Sequence, residues 1–184
     1  EMRELAYAGF SVLHEEAVTP TFKHDIPIHI RNTNNPDAPG TRIVRAHEDI
    51  DSVITGIAGQ KGFSLLHVSK FLMNREVGFA MKVLQILADY DIPFDHMPSG
   101  IDSLSIVFKQ NVFPPDKEEL VCKRLREELE VDVLEVDHNL GIVMIVGDAM
   151  AKTVGVTARA TNALARAGIN LELISQGASA LSVV

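Results

Sequence analysis

Displaced by 77 residues, the chain lies over itself. Residues 63–107 cover 140–184 without a gap, and ten of the 45 aligned positions are identical. Gly78 falls on Gly155, Gly100 on Gly177 and Ile92 on Ile169. Leu87-Ala88 falls on Leu164-Ala165, Leu104-Ser105 on Leu181-Ser182, and Met73, Val77 and Val107 on Met150, Val154 and Val184. These are turn and core positions. A repeat of this kind is one supersecondary unit used twice, and it restricts the fold to units that can be duplicated within one chain.

Each copy follows the same order of elements. In the first, Phe63–Lys70 is an apolar strand and Met73–Arg75 a turn. A helix is predicted over about Glu76–Tyr90, with an inward stripe of Val77, Ala80/Met81, Leu84 and Leu87/Ala88 at helical spacing. Ile92–Met97 reads as a strand, Pro98-Ser99-Gly100 as a turn, and Ser103–Lys109 as a strand. Pro114-Pro115 starts a second helix whose first turn is acidic (Asp116, Glu118, Glu119), as the helix dipole favours, and whose apolar face is Val121, Leu125 and Leu129. Val131–Val136 closes the unit. The order β-α-β-β-α-β is the ferredoxin-like arrangement, and the fold class is α+β.

The second copy predicts a strand at 140–147, a helix at about 151–167 ended by Gly168, a strand at 169–175, a turn at Gln176-Gly177 and a strand at 178–184. Against the first copy it stops two elements early, about 30 residues short of a finished unit. A further strand-like stretch, Val53–Gly59, is available to complete one of the two sheets.

Residues 1–45 read differently. Met2–Leu13 suits a helix, Ile26–Ile30 alternates like a short strand, and Asn32–Thr41 is dense in turn formers. So few elements bury little core, so the segment is expected to be the edge of another domain. The polar stretch Ala46–Ser52 suits a connection. The expected division is therefore 1–45, a linker and strand at 46–62, a first repeat unit at 63–138 and a second at 139–184. A chain opening on Glu, with both end units short, is expected to be part of something longer.

Composition removes several function classes. The balance is 17 Lys+Arg against 25 Asp+Glu, net charge -8, with 5% aromatic residues and no Trp. That supplies neither the basic stripe nor the stacking rings of a nucleic-acid binder. No apolar run approaches the roughly 20 residues of a membrane helix, and no signal-peptide pattern opens the chain. A single cysteine, Cys122, excludes an internal disulfide and reads as a small core residue. The expected location is cytoplasmic.

Candidate catalytic chemistry is sparse. Gly56, Gly59 and Gly62 match neither a dinucleotide fingerprint nor a P-loop, and strand-end turns explain them better. Seven histidines (14, 24, 29, 47, 67, 96, 138) lack metal-ligand spacing, and Ser175-Gln176-Gly177 has no triad around it. A binding site is easier to argue. The loop Met73–Phe79 leads into a helix N-terminus, where free N–H groups accept a carboxylate, and Gly78 allows close approach. Asp95, at the start of the next strand, is placed to pair with an ammonium or simply to face solvent. Together these groups describe an amino-acid ligand.

The stretches Val154–Ala160 and Gly168–Ser179 closely resemble the second ACT domain of aspartate kinases. His96-Met97-Pro98-Ser99-Gly100-Ile101-Asp102 is similar to a turn in the first ACT domain of their monofunctional, lysine-regulated branch. Glu1–Gly9, Val12-Leu13-His14, Ile26-Pro27-Ile28, Asn32–Pro36 and Pro39-Gly40-Thr41 resemble the end of the amino-acid-kinase domain. The resemblance implies two ferredoxin-like βαββαβ ACT domains and a regulatory role in an enzyme that phosphorylates L-aspartate with ATP. It implies an end-product amino acid as effector, lysine first and threonine as the alternative, and a homodimer formed through ACT domains.

The family's effector contacts carry over to Met73, Glu76, Val77, Gly78, Phe79, Pro93, Phe94, Asp95 and Ser99. Pro93 withholds one backbone N–H. In the second copy the matching positions, a second site or an interface, are Val154, Gly155, Val156, Asn170 and Leu171, with Glu172 in place of Asp95. The family's catalytic Lys-Phe-Gly-Gly motif has no counterpart, so no catalytic residue, metal or cofactor is assigned to this chain. ATP and Mg are expected of the parent enzyme. The resemblance also implies that one ACT unit is inserted in the other and that Val53–Gly59 joins the sheet of the second copy. A dimerisation module without ligand binding is the alternative.

Overall fold

The computed structural model describes residues 1–45, 52–177 and 179–184. Most of the expected connection at 46–52 lies outside the described residues. The chain forms two compact units, Lys61–Gly141 and, from both ends of the chain, Glu1–Gln60 with Ile142–Val184.

The Lys61–Gly141 unit uses the second half of β3 (Gly56–Ser69), α3 (Phe79–Asp89), β4 (Ser103–Lys109), α4 (Pro115–Leu129) and the first half of β5 (Val133–Val146). In its sheet β3 lies between β4 and β5. The register of β3 on β4 is antiparallel, from Phe63 opposite Lys109 to Ser69 opposite Ser103. On the free edge of β4, the segment 95–99 is held by two bridges, His96 to Val107 and Ser99 to Leu104. The spatial order is that of a ferredoxin-like sheet. Leu66, Val68, Leu104, Ile106 and Phe108 of the sheet meet Val83, Ile86 and Leu87 of α3 and Val121, Leu125 and Leu129 of α4 in one core. Phe108 and Phe113 pack edge to face with ring centres 4.7 Å apart.

Two expectations for this unit need correction. The predicted strand Ile92–Met97 does not form as a strand. Pro93 and Pro98 lack N–H donors, so pairing with β4 shrinks to the two bridges. The predicted stripe of α3 is also displaced. The helix starts at Phe79, not Glu76, and buries Phe79, Val83, Ile86 and Leu87, while Val77 and Met81 are exposed. The segment is apolar on two overlapping stripes, and packing selects one.

In the other unit the sheet order is β3, β5, β7 (Ala180–Val183), β6 (Ile174–Gln176), with the first half of β3 beside the second half of β5. The N–H of Thr55 donates to the Val146 carbonyl at 2.8 Å. The stretch Val53–Gly59 thus enters the second copy's sheet, and its Gly56–Gly59 part stands where the fourth strand of the unit would lie. Gly59 and Gly62 accordingly sit inside β3 and not at strand-end turns, while Gly56 is its first residue. One face of this sheet carries α5 (Val156–Arg166) through Ile145, Leu181, Val183, Met150 and Val156. The opposite apolar group is Leu5, Ala8, Ala58, Met144 and Val146. The second copy's helix begins at Val156 and not at about 151, because a 3-10 turn, Asp148–Lys152, comes first. Its middle strand is Ile174–Gln176, shorter than the predicted 169–175.

Near the start of the chain, the expected helix Met2–Leu13 forms only as α1 (Met2–Tyr7), and an unexpected second helix, α2 (Glu15–Lys23), follows beyond it. The N–H of Phe10 reaches back to the Leu5 carbonyl at 2.9 Å and that of Gly9 to Ala6 at 3.3 Å, which closes α1. β1 (Ile28–Ile30) and β2 (Thr41–Ile43) pair antiparallel across the turn-rich stretch between them. His29 and Arg31 hold that stretch through the carbonyls of Pro39, Pro36 and Ala38.

Candidate functional site

The repeat seen in the sequence recurs hydrogen bond by hydrogen bond. Glu76 N–H donates to Met73 and Thr153 N–H to Met150, at 3.0 and 3.2 Å. Lys82 N–H reaches Gly78 and Arg159 N–H reaches Gly155, both at 3.0 Å. Asp95 N–H donates to Val107 at 2.7 Å, as Glu172 N–H does to Val184 at 2.8 Å, and the Gly100 to Ser103 closure matches Gly177 to Ala180, both at 2.8 Å. The turn after the first strand and the opening of the helix are therefore one backbone design used twice.

That design leaves a helix start without a side-chain cap. Gly78 and Gly155 are the N-caps of α3 and α5, with φ of 80° and 85°, in the left-handed region that costs any residue with a Cβ. Neither helix has an acid in its first turn. In α3 the Phe79 N–H donates to the Glu76 carbonyl at 3.3 Å, and the N–H groups that follow it in the first turn face the side where an anion is favoured.

Around the frame, the predicted site residues divide. Met73 and Phe79 are buried in the core, so they shape the loop from below. Val77 stands 95% exposed at its tip, as Val154 does at 99% in the second copy. Asn74 N–H donates to the Ile101 carbonyl at 3.1 Å and Lys70 N–H to that of Asp102 at 2.9 Å, which stitches the loop to the turn carrying Ser99. Pro93 and Phe94 are exposed on the segment leading to Asp95. Asp95 is half-buried, and burial pushes its carboxyl above the ordinary 3.8, opposed by Lys109 and His96. The same burial lowers the neighbouring His96 imidazole. In the second copy Val156 is buried and Leu171 packs on the core, while Asn170 hydrogen-bonds Glu172 at 2.6 Å.

Glu76 stands between two lysines. Lys70 Nζ lies 2.8 Å from its Oε2 and Lys82 Nζ 2.7 Å from its Oε1. These hydrogen bonds hold the Glu76 carboxyl below its ordinary 4.5. The only trace in the sequence is the even spacing 70, 76, 82, which belongs to neither a helix nor a strand period.

Elsewhere, His138 bridges Ser64 Oγ at 2.8 Å and Glu118 Oε2 at 3.0 Å, but Ser64 is fully buried on β3, so the group is a satisfied polar contact beneath α4. Cys122 is buried with its thiol pushed up, mainly by that burial. A cavity of about 220 Å³ lies among α2, β1 and β2, lined by Phe22, Ile26, Ile43, Val44 and Arg45, away from every predicted site residue. Among the described residues no cluster of three or more His, Cys, Asp or Glu could hold a metal ion, and no helix is long and apolar enough to cross a membrane.

Comparison with known proteins gives this geometry a context. Residues 143–184 match the family described as ACT domain. Aspartokinase 3 of Bacillus subtilis (strain 168) is 47% identical over all 184 residues. The crystal structure of Clostridium acetobutylicum aspartate kinase, described as an allosteric enzyme, superposes on the whole chain with a TM-score of 0.90 at 41% identity. The chain is an ACT-domain regulatory region of the aspartokinase type. It spans 40% of the Bacillus aspartokinase and 43% of the Clostridium chain. E. coli aspartokinase III in complex with lysine and aspartate shares the fold, with a TM-score of 0.70 at 20% identity, across 98% of this chain and 41% of its own. Both ACT units of the aspartokinase-type region are ferredoxin-like, and the loop and helix start that the resemblance singled out fall at equivalent places in each.

Proposed function

We propose that this chain senses an end-product amino acid, lysine in the first place, for feedback control of an aspartate kinase. The ligand's carboxylate is received at the start of α3, beside Gly78, and its ammonium by Asp95. Met73, Val77, Phe79, Phe94 and Ser99 shape the surroundings. The observation that carries the reading is the contrast between the two copies. They share a backbone, yet only the first combines an uncapped helix start with a half-buried carboxylate whose ionised form burial disfavours. A cation repays that burial. The E. coli neighbour, of the same fold, was crystallised with lysine.

Residues 1–45 are proposed as the edge of the kinase domain, 63–138 as the first ACT domain and 139–184, with the strand from 53–59, as the second. ATP and magnesium belong to the catalytic part of such an enzyme, and none of this chain's residues is assigned to them. Two copies are proposed to pair through their ACT domains, with Val154, Gly155, Val156, Asn170 and Leu171 on the second unit's side. Sensing needs only modest affinity, since millimolar to micromolar binding corresponds to about -4 to -8 kcal/mol. The coupling required is about 1–3 kcal/mol. Calorimetric titration with lysine, threonine and methionine tests the reading, with Asp95→Ala alongside and sedimentation with and without lysine. Heat with lysine that vanishes in Asp95→Ala is expected. Equal binding by the variant removes Asp95 from the site, and no heat with any of the three sinks the sensor reading.

A further inference from the structure

Lys70, the residue that follows β3, sends its ammonium in two directions at once. It pairs with Glu76 in the loop and donates to the Leu129 carbonyl at 2.7 Å, and it stands 5.7 Å from the centre of the Phe79 ring. Leu129 is the last residue of α4. Its carbonyl belongs to the group a helix end leaves without partners, where a cation is favoured. Three residues on, Asp132 makes a second tie. Its Oδ2 accepts the Phe71 N–H at 2.6 Å, and its own N–H donates to the Ser69 carbonyl at 2.8 Å. Residues 69–76 are thereby laced to 129–132, one residue before β5 begins.

The three charged residues of this loop have no charged triad at their counterparts in the second copy. Gly147, Thr153 and Arg159 stand where Lys70, Glu76 and Lys82 stand in the first, and the Thr153 hydroxyl simply turns back to the Ala149 carbonyl at 2.8 Å. The backbone turn forms in both copies, so the charges are not needed to build it. Each Glu76 oxygen already holds a lysine ammonium.

We propose that Lys70 is a positioning residue that ties the ligand loop Phe71–Gly78 to the end of α4, with Glu76 as its internal counter-ion and not the partner of a ligand's ammonium. A ligand that moves the loop then moves the entry to β5 with it. The tie stands on its own geometry; its effect on a ligand rests on the amino-acid reading above.

Hydrogen exchange of the unliganded chain tests the tie. Lys70→Met raises exchange of the amides in 71–76 and 130–132 together, by about tenfold for the loss of a charged hydrogen bond. The interior of α3, Val83–Leu87, stays protected, and Lys70→Arg restores the slow exchange. Lys82→Met loosens the loop alone. Unchanged exchange in either segment of Lys70→Met overturns the proposal. So does general loss of protection that includes α3, which would make Lys70 a fold residue. Lysine calorimetry provides the second arm. Lys70→Met and Glu76→Gln weaken binding by the same factor and the double variant by no more, because they act as one unit. Additive losses place Glu76 on the ligand and overturn its counter-ion role. If the unaltered chain gives no heat with lysine, the amino-acid reading fails and the exchange arm still decides the tie.

Discussion

Replacing Gly78 or Gly155 by Ala separates two reasons for a glycine at a helix start. Both residues have φ above 80°, or at it, with ψ near 10°. A Cβ built on Gly155 meets nothing within 4 Å, and one on Gly78 meets only the mobile end of Met81 at 3.6 Å, an ordinary contact. Space is therefore not the constraint, and the cost is that of the left-handed backbone. For alanine that cost is about 1–2 kcal/mol. The stiffer unfolded chain gives back about 0.4–1 kcal/mol. The net loss is roughly 1 kcal/mol at either site, a fall in Tm of about 2–4 °C for a chain of this size. Asparagine, which visits this region more readily, is expected to lose less than alanine although it is larger. Thermal and urea denaturation of Gly78→Ala, Gly78→Asn and the same pair at 155 provide the assay. An asparagine variant less stable than its alanine counterpart would refute the backbone argument, because only crowding ranks them by size. So would unchanged stability in both alanine variants.

Three further outcomes follow from the described contacts. Leu125→Ala empties a fully buried site between α4 and the sheet and is expected to cost about 2–5 kcal/mol in urea denaturation; a loss under 1 kcal/mol would mean that α4 does not pack as described. Pro98→Ser introduces the second copy's residue and a missing donor opposite Ser105, whose own N–H already reaches the residue 98 carbonyl at 3.0 Å. The gained bond, about 0.5–1.5 kcal/mol, and the lost proline rigidity, about 0.4–1 kcal/mol, nearly cancel, so stability barely moves while the new amide exchanges slowly. Rapid exchange there would show that proline is not what interrupts the pairing.

The pH dependence concerns Asp95. Its carboxyl is raised above 3.8 by burial, so its contribution to stability is fully present below that value and fades as pH rises through the raised pKa. A ligand's ammonium prefers the ionised form, so lysine affinity climbs over the same window. Calorimetry in acid buffers should show that climb and its loss in Asp95→Asn, and an equal climb in the variant would assign it to another group.

How much of this was legible in the sequence differs by element. The repeat was, because identities such as Gly78/Gly155 and Leu104/Leu181 mark turn and core positions whose backbone bonds also recur. β4 and α4 were, because alternation bounds the one and Pro114-Pro115 starts the other. α2 was hidden by Pro20, which sits inside it. Gly56, Gly59 and Gly62 punctuate β3 and make its sequence look like two strands, although a long paired strand absorbs all three. The face of α3 was misplaced because its sequence offers two apolar stripes. For the candidate site, the helix start and Asp95 came from local chemistry and the resemblance. Lys70 and Lys82 could not, since their meeting at Glu76 depends on a loop that no periodicity describes.

The two long strands bear on the order in which the chain can fold. One unit is a single run of sequence, while the other must bring Glu1–Gln60 together with Ile142–Val184 across the 81 residues from 61 to 141. Closing a flexible loop of that length costs about 4 kcal/mol in chain entropy before any contact offsets it. If the inserted unit forms first, its pairing of β3 with β5 already closes that loop. Assembly then runs from the inside of the sequence to its ends.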